Sequence, residues 1–285
     1  MNLNIKCNEI RRLILKTIGT LGVGHIGGSL SPSPATSATH RRTWILLRTR
    51  SLKHWRKHMK IDPKNPKMLG RDRLVVSKGH SGPAVYSILC SKGYFSKDWL
   101  LTLNQPGTNL PSHCDMNKTP GIDMTTGSLG QGFSCAMGIA KASKIKNDGA
   151  TIYTIIGDGE TQEGQIWEAA MFAAQHKLSN VIAFTDYNKL QLDGPISEIC
   201  DIAPLDEKWR AFGWNAINVK NGHNCDEIDA AIKLAKFSDK PSMIILNTKK
   251  GKGISFAENA GIGNHSMQIT PEMMEQGLRE LRGEE

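Results

Sequence analysis

Apolar positions along this chain keep two rhythms that alternate from one end to the other. Leu3, Ile10, Leu13, Ile14 and Ile18 stand near helical spacing, which predicts an amphipathic first helix over residues 3–18, ending at Gly19. Ile152, Ile155 and Ile156 form a short β-branched run that stops at Gly157, the signal of a buried parallel strand. Gln165 to His176 then carries Ile166, Ala169, Ala170, Ala173 and Ala174 on a small-residue helical face suited to lie on a sheet, and Val181 to Phe184 resumes β character before Asp186-Tyr187-Asn188. Further strands are predicted over 73–76, 215–219 and 243–247, and further helices after Gly82, after Gly132, and over 204–212, 226–236 and 271–281. Residues 109–126 are rich in turn formers and read as a loop. This alternation predicts an α/β fold: a doubly wound, mainly parallel sheet with helices on both faces. With no Pro/Ser linker, residues 1–285 are expected to form a single domain.

The formal charge of +9 changes this picture only locally. Residues 32–56 hold Arg41, Arg42, Arg48, Arg50, Lys53 and Arg56 and no acid, so they account for +6, and +9 − 6 leaves +3 elsewhere. That remainder calls for no nucleic acid partner. The six cysteines, at 7, 90, 114, 135, 200 and 225, show no paired or compact spacing and read as reduced thiols. With no long apolar run, a soluble cytoplasmic protein without a membrane partner is expected.

The candidate chemistry sits at strand ends. Asp158, between Gly157 and Gly159, and Asn188 fall at the carboxyl ends of two strands of one βαβ unit, where open α/β sheets bind ligands. A carboxylate and an amide oxygen suit a hard divalent cation such as Mg²⁺, whose remaining ligands come from water or a phosphate. The glycines let backbone approach a ligand closely. His25 lies among five glycines between Gly19 and Gly28, and His80 lies at a strand-to-helix turn suited to an anion.

Gly157-Asp158-Gly159 followed by Asn188 is the thiamin diphosphate signature, and the stretch from Glu163 to Gly194 resembles the transketolase version of it. The resemblance extends to GHIGGSLS around His25, SKGHSGPAVY around His80, TTGSLGQG at 125–132, and, with less similarity, His113 and the Asn264-His265-Ser266-Met267 loop. It implies that Asp158, Asn188 and the Leu190 carbonyl hold Mg²⁺ or Ca²⁺ against the cofactor diphosphate, beside Gly157 and Gly159. His80 and His265 would sit by the diphosphate, and backbone at Gly127 and Leu129 would meet the aminopyrimidine. His25 and His113 would handle hydroxyl protons of a ketose donor and an aldose acceptor. Glu163 would join a carboxylate network that couples paired sites across a subunit interface, while Glu160 reads as a helix-start charge. The basic turn Thr248–Gly253 stands where a diphosphate needs neutralising, and His40, His54, His58, His176 and His223 read as ordinary.

The implied reaction is reversible transfer of a two-carbon ketol unit between sugar phosphates, the chemistry of the pentose phosphate pathway. The family's second α/β domain, which supplies the carboxylate that activates the aminopyrimidine, has no counterpart before Glu285. The chain therefore resembles the amino-terminal subunit of a split transketolase, which works in an α2β2 assembly with a separate carboxy-terminal subunit. Alternatives are the α subunit of a 2-oxo acid dehydrogenase, against which the histidine loops argue, and a non-catalytic paralogue acting as an interaction protein.

Residues 32–56 break the resemblance. The family has a Leu/Val/Ala-rich helix there, whereas Pro32 and Pro34 oppose a helix start and Ser, Thr and Arg dominate the rest of the segment. Losing three buried aliphatic side chains removes about 5–9 kcal/mol at roughly 1.5–3 kcal/mol each. The segment is read as a reading-frame discontinuity or as a true basic insertion.

Overall fold

A computed structural model describes residues 3–39 and 58–283. In chain order the helices and strands are α1 (Leu3–Leu21), β1 (Val23–Gly24), α2 (Ile26–Leu30), α3 (Ser33–Thr39), β2 (Arg73–Val76), α4 (Gly82–Lys92), α5 (Gln131–Lys146), β3 (Ile152–Gly157), α6 (Gly164–Gln175) and β4 (Val181–Tyr187). There follow α7 (Ile196–Ile199), α8 (Leu205–Ala211), β5 (Asn215–Val219), α9 (Cys225–Ala235), β6 (Ser242–Asn247), α10 (Ser255–Asn259), β7 (Met267–Gln268) and α11 (Pro271–Arg282). The predicted strands and helices all form, and residues 109–126 hold neither.

Five strands make one sheet in the order β2-β3-β4-β6-β5, with every pairing parallel. The inner strands β3, β4 and β6 are almost wholly buried, because both faces of the sheet are covered there. Their side chains alternate between two cores. Leu74, Val76, Tyr153, Ile155, Ile182, Phe184, Ile244 and Leu246 face one side with α1, α4 and α9. Val75, Ile152, Ile156, Val181, Ala183, Met243 and Ile245 face the other with α5, α6 and Trp209 of α8. The doubly wound α/β architecture expected from the sequence is the one observed. β1 and β7 pair antiparallel away from this sheet and bring the segment before His25 alongside the segment after His265.

Two expectations need correction. α3 forms across the segment that Pro34 was expected to keep from being helical. Pro34 is its second residue, where the missing N–H has no intrahelical acceptor to lose. α3 buries Ala35 and Ala38 against α1, α4 and α9, so part of the expected apolar loss is made good. The rest of the anomalous segment, residues 40–56, lies outside the described residues. Second, the glycine-rich stretch after His25 is not all loop, because Ile26–Leu30 is a buried turn of helix. It packs tightly: a Cβ on Gly28 would lie 2.8 Å from the His80 ring.

Candidate active site

Register places the site. Gly157 on β3 lies opposite Asp186 on β4, so the residues just after each strand, Asp158 and Asn188, leave the sheet at the same end. β2 delivers Lys78 and His80 to that end, the latter on a 3₁₀ turn (Gly79–Ser81) leading into α4, and β6 delivers Lys250. A cavity of about 310 Å³ opens there. Its walls hold His25, His80, His113, His265, Gly127, Leu129, Gly157, Asp158, Gly159, Asn188 and Leu190, which is every candidate residue named from the sequence except Glu163. Glu163 is exposed at the start of α6 and does not line the cavity, so the structure does not place it at the cofactor.

The four imidazoles come from four separate segments yet form one cluster. The His25 ring centre lies 5.7 Å from that of His80, 5.8 Å from His113 and 5.5 Å from His265, while His80 and His265 are 5.2 Å apart. Burial lowers the pKa of all four. Positive neighbours add to this: His113 and Lys250 beside His25, Lys78 and the other imidazoles beside His80. His265 is lowered to about 4, by burial first and then by Lys250 and His25. The cluster is therefore neutral at pH 7, with ring nitrogens able to accept protons.

The same shifts make stability depend on pH. Unfolded histidines take up protons near pH 6.5, whereas the folded cluster resists protonation well below that value. The unfolded state thus binds more protons as pH falls from about 6.5 to about 4, so stability is full above that window and is lost through it. Thermal unfolding between about pH 7.5 and about pH 5 is expected to show this loss. Thiamin diphosphate should reduce it, because an anion beside the cluster favours imidazolium.

The acidic side of the cavity is as deeply built. Asp158 is buried and accepts from the backbone N–H groups of Gly159 (2.8 Å) and Lys189 (2.5 Å). Burial, and then the charge of Asp186, push its carboxyl up to about 7. A bound cation would offset both effects, so this donor set fits a divalent ion completed by non-protein oxygens. Among the described residues no group of three or more His, Cys, Asp or Glu forms a metal cage. Lys250 is buried with its pKa lowered to about 8, by burial first and then by Lys78, and its Nζ is 3.4 Å from His265 Nδ1. Of the basic turn, Lys250 lines the cavity, whereas Lys249 and Lys252 point to Glu258.

Three residues were missed from the sequence. Lys78 pairs with the fully buried Asp186 at 2.6 Å, and Asp186 also accepts from Ser31 and Thr248 at 2.5 Å each. A lysine and an acid at the ends of two apolar strands were the available signal, since buried charges must pair. Glu160 is buried, not a solvated helix-start charge: it accepts from Ser77, from Gly130 N–H (2.8 Å) and from Gly157 N–H (3.0 Å). It thereby ties the 125–132 loop to the strand end that carries Asp158.

Residues 4–272 match the family described as transketolase, thiamine diphosphate binding domain. The chain belongs to the transketolase family. A 6-deoxy-6-sulfo-D-fructose transketolase subunit from a Clostridium species is 54% identical over 285 residues, covering 100% of this chain and 98% of that relative. An apulose-4-phosphate transketolase subunit from Phocaeicola vulgatus is 33% identical over 280 residues, 98% of this chain and 93% of that one. The crystal structure of Campylobacter jejuni transketolase superposes with a TM-score of 0.87 at 30% identity, covering 100% of this chain. This transketolase chain spans only 44% of that solved one. The family match favours the transketolase reading over the 2-oxo acid dehydrogenase alternative.

Proposed function

We propose that this chain is the diphosphate-binding subunit of a split transketolase that transfers a two-carbon ketol unit from a ketose to an aldose, together with a separate carboxy-terminal subunit in an α2β2 assembly. The observation that carries it is the convergence of four neutral imidazoles with Asp158, Asn188 and Leu190 in one cavity at the strand ends. Asp158, Asn188 and the Leu190 carbonyl hold Mg²⁺ or Ca²⁺. His80 and His265, with the buried Lys78 and Lys250, receive the diphosphate, and Gly157 and Gly159 leave room for it. Backbone at Gly127 and Leu129 meets the aminopyrimidine. When bound, the cofactor supplies a thiazolium carbon that serves as an electron sink. His25 and His113 accept a hydroxyl proton from the donor ketose and return one to the acceptor, work that suits neutral imidazole. Glu163, exposed at the start of α6, is assigned to the contact between subunits. Cytoplasmic residence, without nucleic acid or membrane partners, completes the reading; no described helix is long and apolar enough to cross a membrane.

The donor is a ketose with a terminal anion. The 54% identity to a sulfofructose transketolase subunit, against 33% to an apulose phosphate one, favours a sulfonated ketose as donor over a sugar phosphate. The test mixes the chain with its candidate carboxy-terminal partner, Mg²⁺ and thiamin diphosphate, and measures ketol transfer to an aldose phosphate. We expect activity only in the mixture, with kcat/KM for 6-deoxy-6-sulfo-D-fructose about tenfold or more above that for xylulose 5-phosphate. A folded, cofactor-bound complex silent with both donors would sink the reading.

A further inference from the structure

Cys7 and Cys225 meet in the interior although 218 positions separate them. Cys7 lies near the start of α1 and Cys225 opens α9. Their Sγ atoms are 2.7 Å apart, and either can donate to the other. Each residue is only 1% exposed. Arg11, one helical turn after Cys7, is also buried, and its positive charge acts on both sulfurs. Because either sulfur can donate and the Arg11 charge favours a thiolate at both, one thiol of the pair is primed as a nucleophile while the other holds the proton.

The surroundings tie this pair to the cavity. His223 Nε2 accepts from Lys249 N–H at 2.7 Å, and Gly222 N–H donates to the Asn247 carbonyl at 2.8 Å. A Cβ on Gly253 would lie 3.0 Å from the Arg11 side chain. Residues near the pair in sequence, Gly222 and His223 before Cys225 and Arg11 after Cys7, thus touch the ends of the turn that carries Lys250 to the histidine cluster.

We propose that Cys7 and Cys225 are a dithiol that closes into an intrachain disulfide joining α1 to α9. With hydrogen peroxide as oxidant, the thiolate of one cysteine, taken as Cys7, attacks one peroxide oxygen and the O–O bond breaks. The departing hydroxide takes a proton and leaves as water, and Cys7 becomes a sulfenic acid. The Cys225 sulfur then attacks the Cys7 sulfur, the S–O bond breaks, and the second water carries away the Cys225 proton. Two thiols are oxidised and one peroxide is reduced to two waters. Because both sulfurs are buried, the reaction waits on local opening at the amino-terminal end of α1, which sets its rate.

The test uses the full chain with Mg²⁺ and thiamin diphosphate, exposed to hydrogen peroxide with and without sub-denaturing urea. The remaining thiols are then blocked with iodoacetamide under unfolding conditions, and the peptides are read by mass spectrometry. We expect the peptides carrying Cys7 and Cys225 to be joined, at about 2 Da below the sum of their reduced masses, and dithiothreitol to separate them. The thermal midpoint of the bridged chain should rise by several degrees, because a cross-link over so long a loop restricts the unfolded chain. Joining should vanish in Cys7→Ala and in Cys225→Ala, while oxidation of the exposed Cys200 continues in both. Recovery of Cys7 and Cys225 as separate alkylated peptides, in urea as well as without it, overturns the proposal. Joining of either one to a different cysteine does the same.

Discussion

Asp158→Asn is expected to lower ketol transfer on the order of 10³-fold and to abolish the stabilisation that Mg²⁺ and thiamin diphosphate give the chain. The substitution keeps side-chain size while removing the charge that a cation needs, and loss of one preorganised electrostatic group at a reacting site has effects of about this size. In wild type, cofactor at a hundredfold above its Kd should stabilise the fold by about 2.7 kcal/mol, a rise in Tm of roughly 5–10 °C for a chain of this length. The variant should show none of that rise. Its cofactor-free stability should fall by about 1–3 kcal/mol, because the Gly159 and Lys189 N–H groups each donate to a different carboxylate oxygen and the asparagine NH2 leaves one of them without an acceptor. Thermal unfolding with and without cofactor separates the two effects. A variant that keeps the cofactor-dependent rise would remove Asp158 from the cation site.

Lys78→Met should destabilise the fold by about 3–5 kcal/mol, the range for leaving a buried charge without its partner. Asp186 is 0% exposed, so the Lys78 ammonium is the charge that balances it. Burial pushes the Asp186 carboxyl up, and the Lys78 charge with hydrogen bonds from Lys78, Ser31 and Thr248 outweighs that push, leaving it below the ordinary carboxylate range. Without Lys78 the balance reverses and the folded-state pKa rises above the unfolded one. The variant's deficit should therefore be greatest at neutral pH and shrink as pH falls and Asp186 takes up a proton. Lys78→Met with Asp186→Asn should recover most of the lost stability, since no buried charge then remains. Denaturant unfolding of the two variants checks this, and a Lys78→Met protein as stable as wild type at pH 7 would show that the pair contributes nothing.

Both predictions concern groups at the ends of apolar strands, yet they were not equally legible. Asp158 stands between two glycines that stop a β-branched run, so local pattern marks it as a strand-end residue, and its spacing to Asn188, which matches the thiamin diphosphate signature, marks it as a cation ligand. Lys78 and Asp186 are 108 positions apart, and each taken alone reads as an unremarkable polar residue near a turn. Glu160 and Glu163 show the same limit at close range. Both flank the metal turn in sequence, but the 3₁₀ turn Gly159–Gln162 points one inward to Ser77 and leaves the other on the surface. Pro34 shows the converse, because its effect depends on where a helix begins, and packing against α1, α4 and α9 placed that start at Ser33.

The amino-acid sequence by itself determined the alternation of strands and helices, the parallel two-faced sheet, and the loops that carry His25, His80, Asp158, Asn188 and His265. The strands, helices and strand ends rest on periodicity and glycine placement, which are properties of neighbouring residues, whereas the three histidine loops rest on their resemblance to transketolase motifs. Only the tertiary structure decided which side chains meet: three imidazoles within 5.8 Å of His25, Lys78 on Asp186, Glu160 across three segments, and Cys7 on Cys225. The physical reason is that a buried charge or thiol is stabilised by whatever partner the packing brings to it. That partner is set by sheet order and helix placement, which no local pattern encodes.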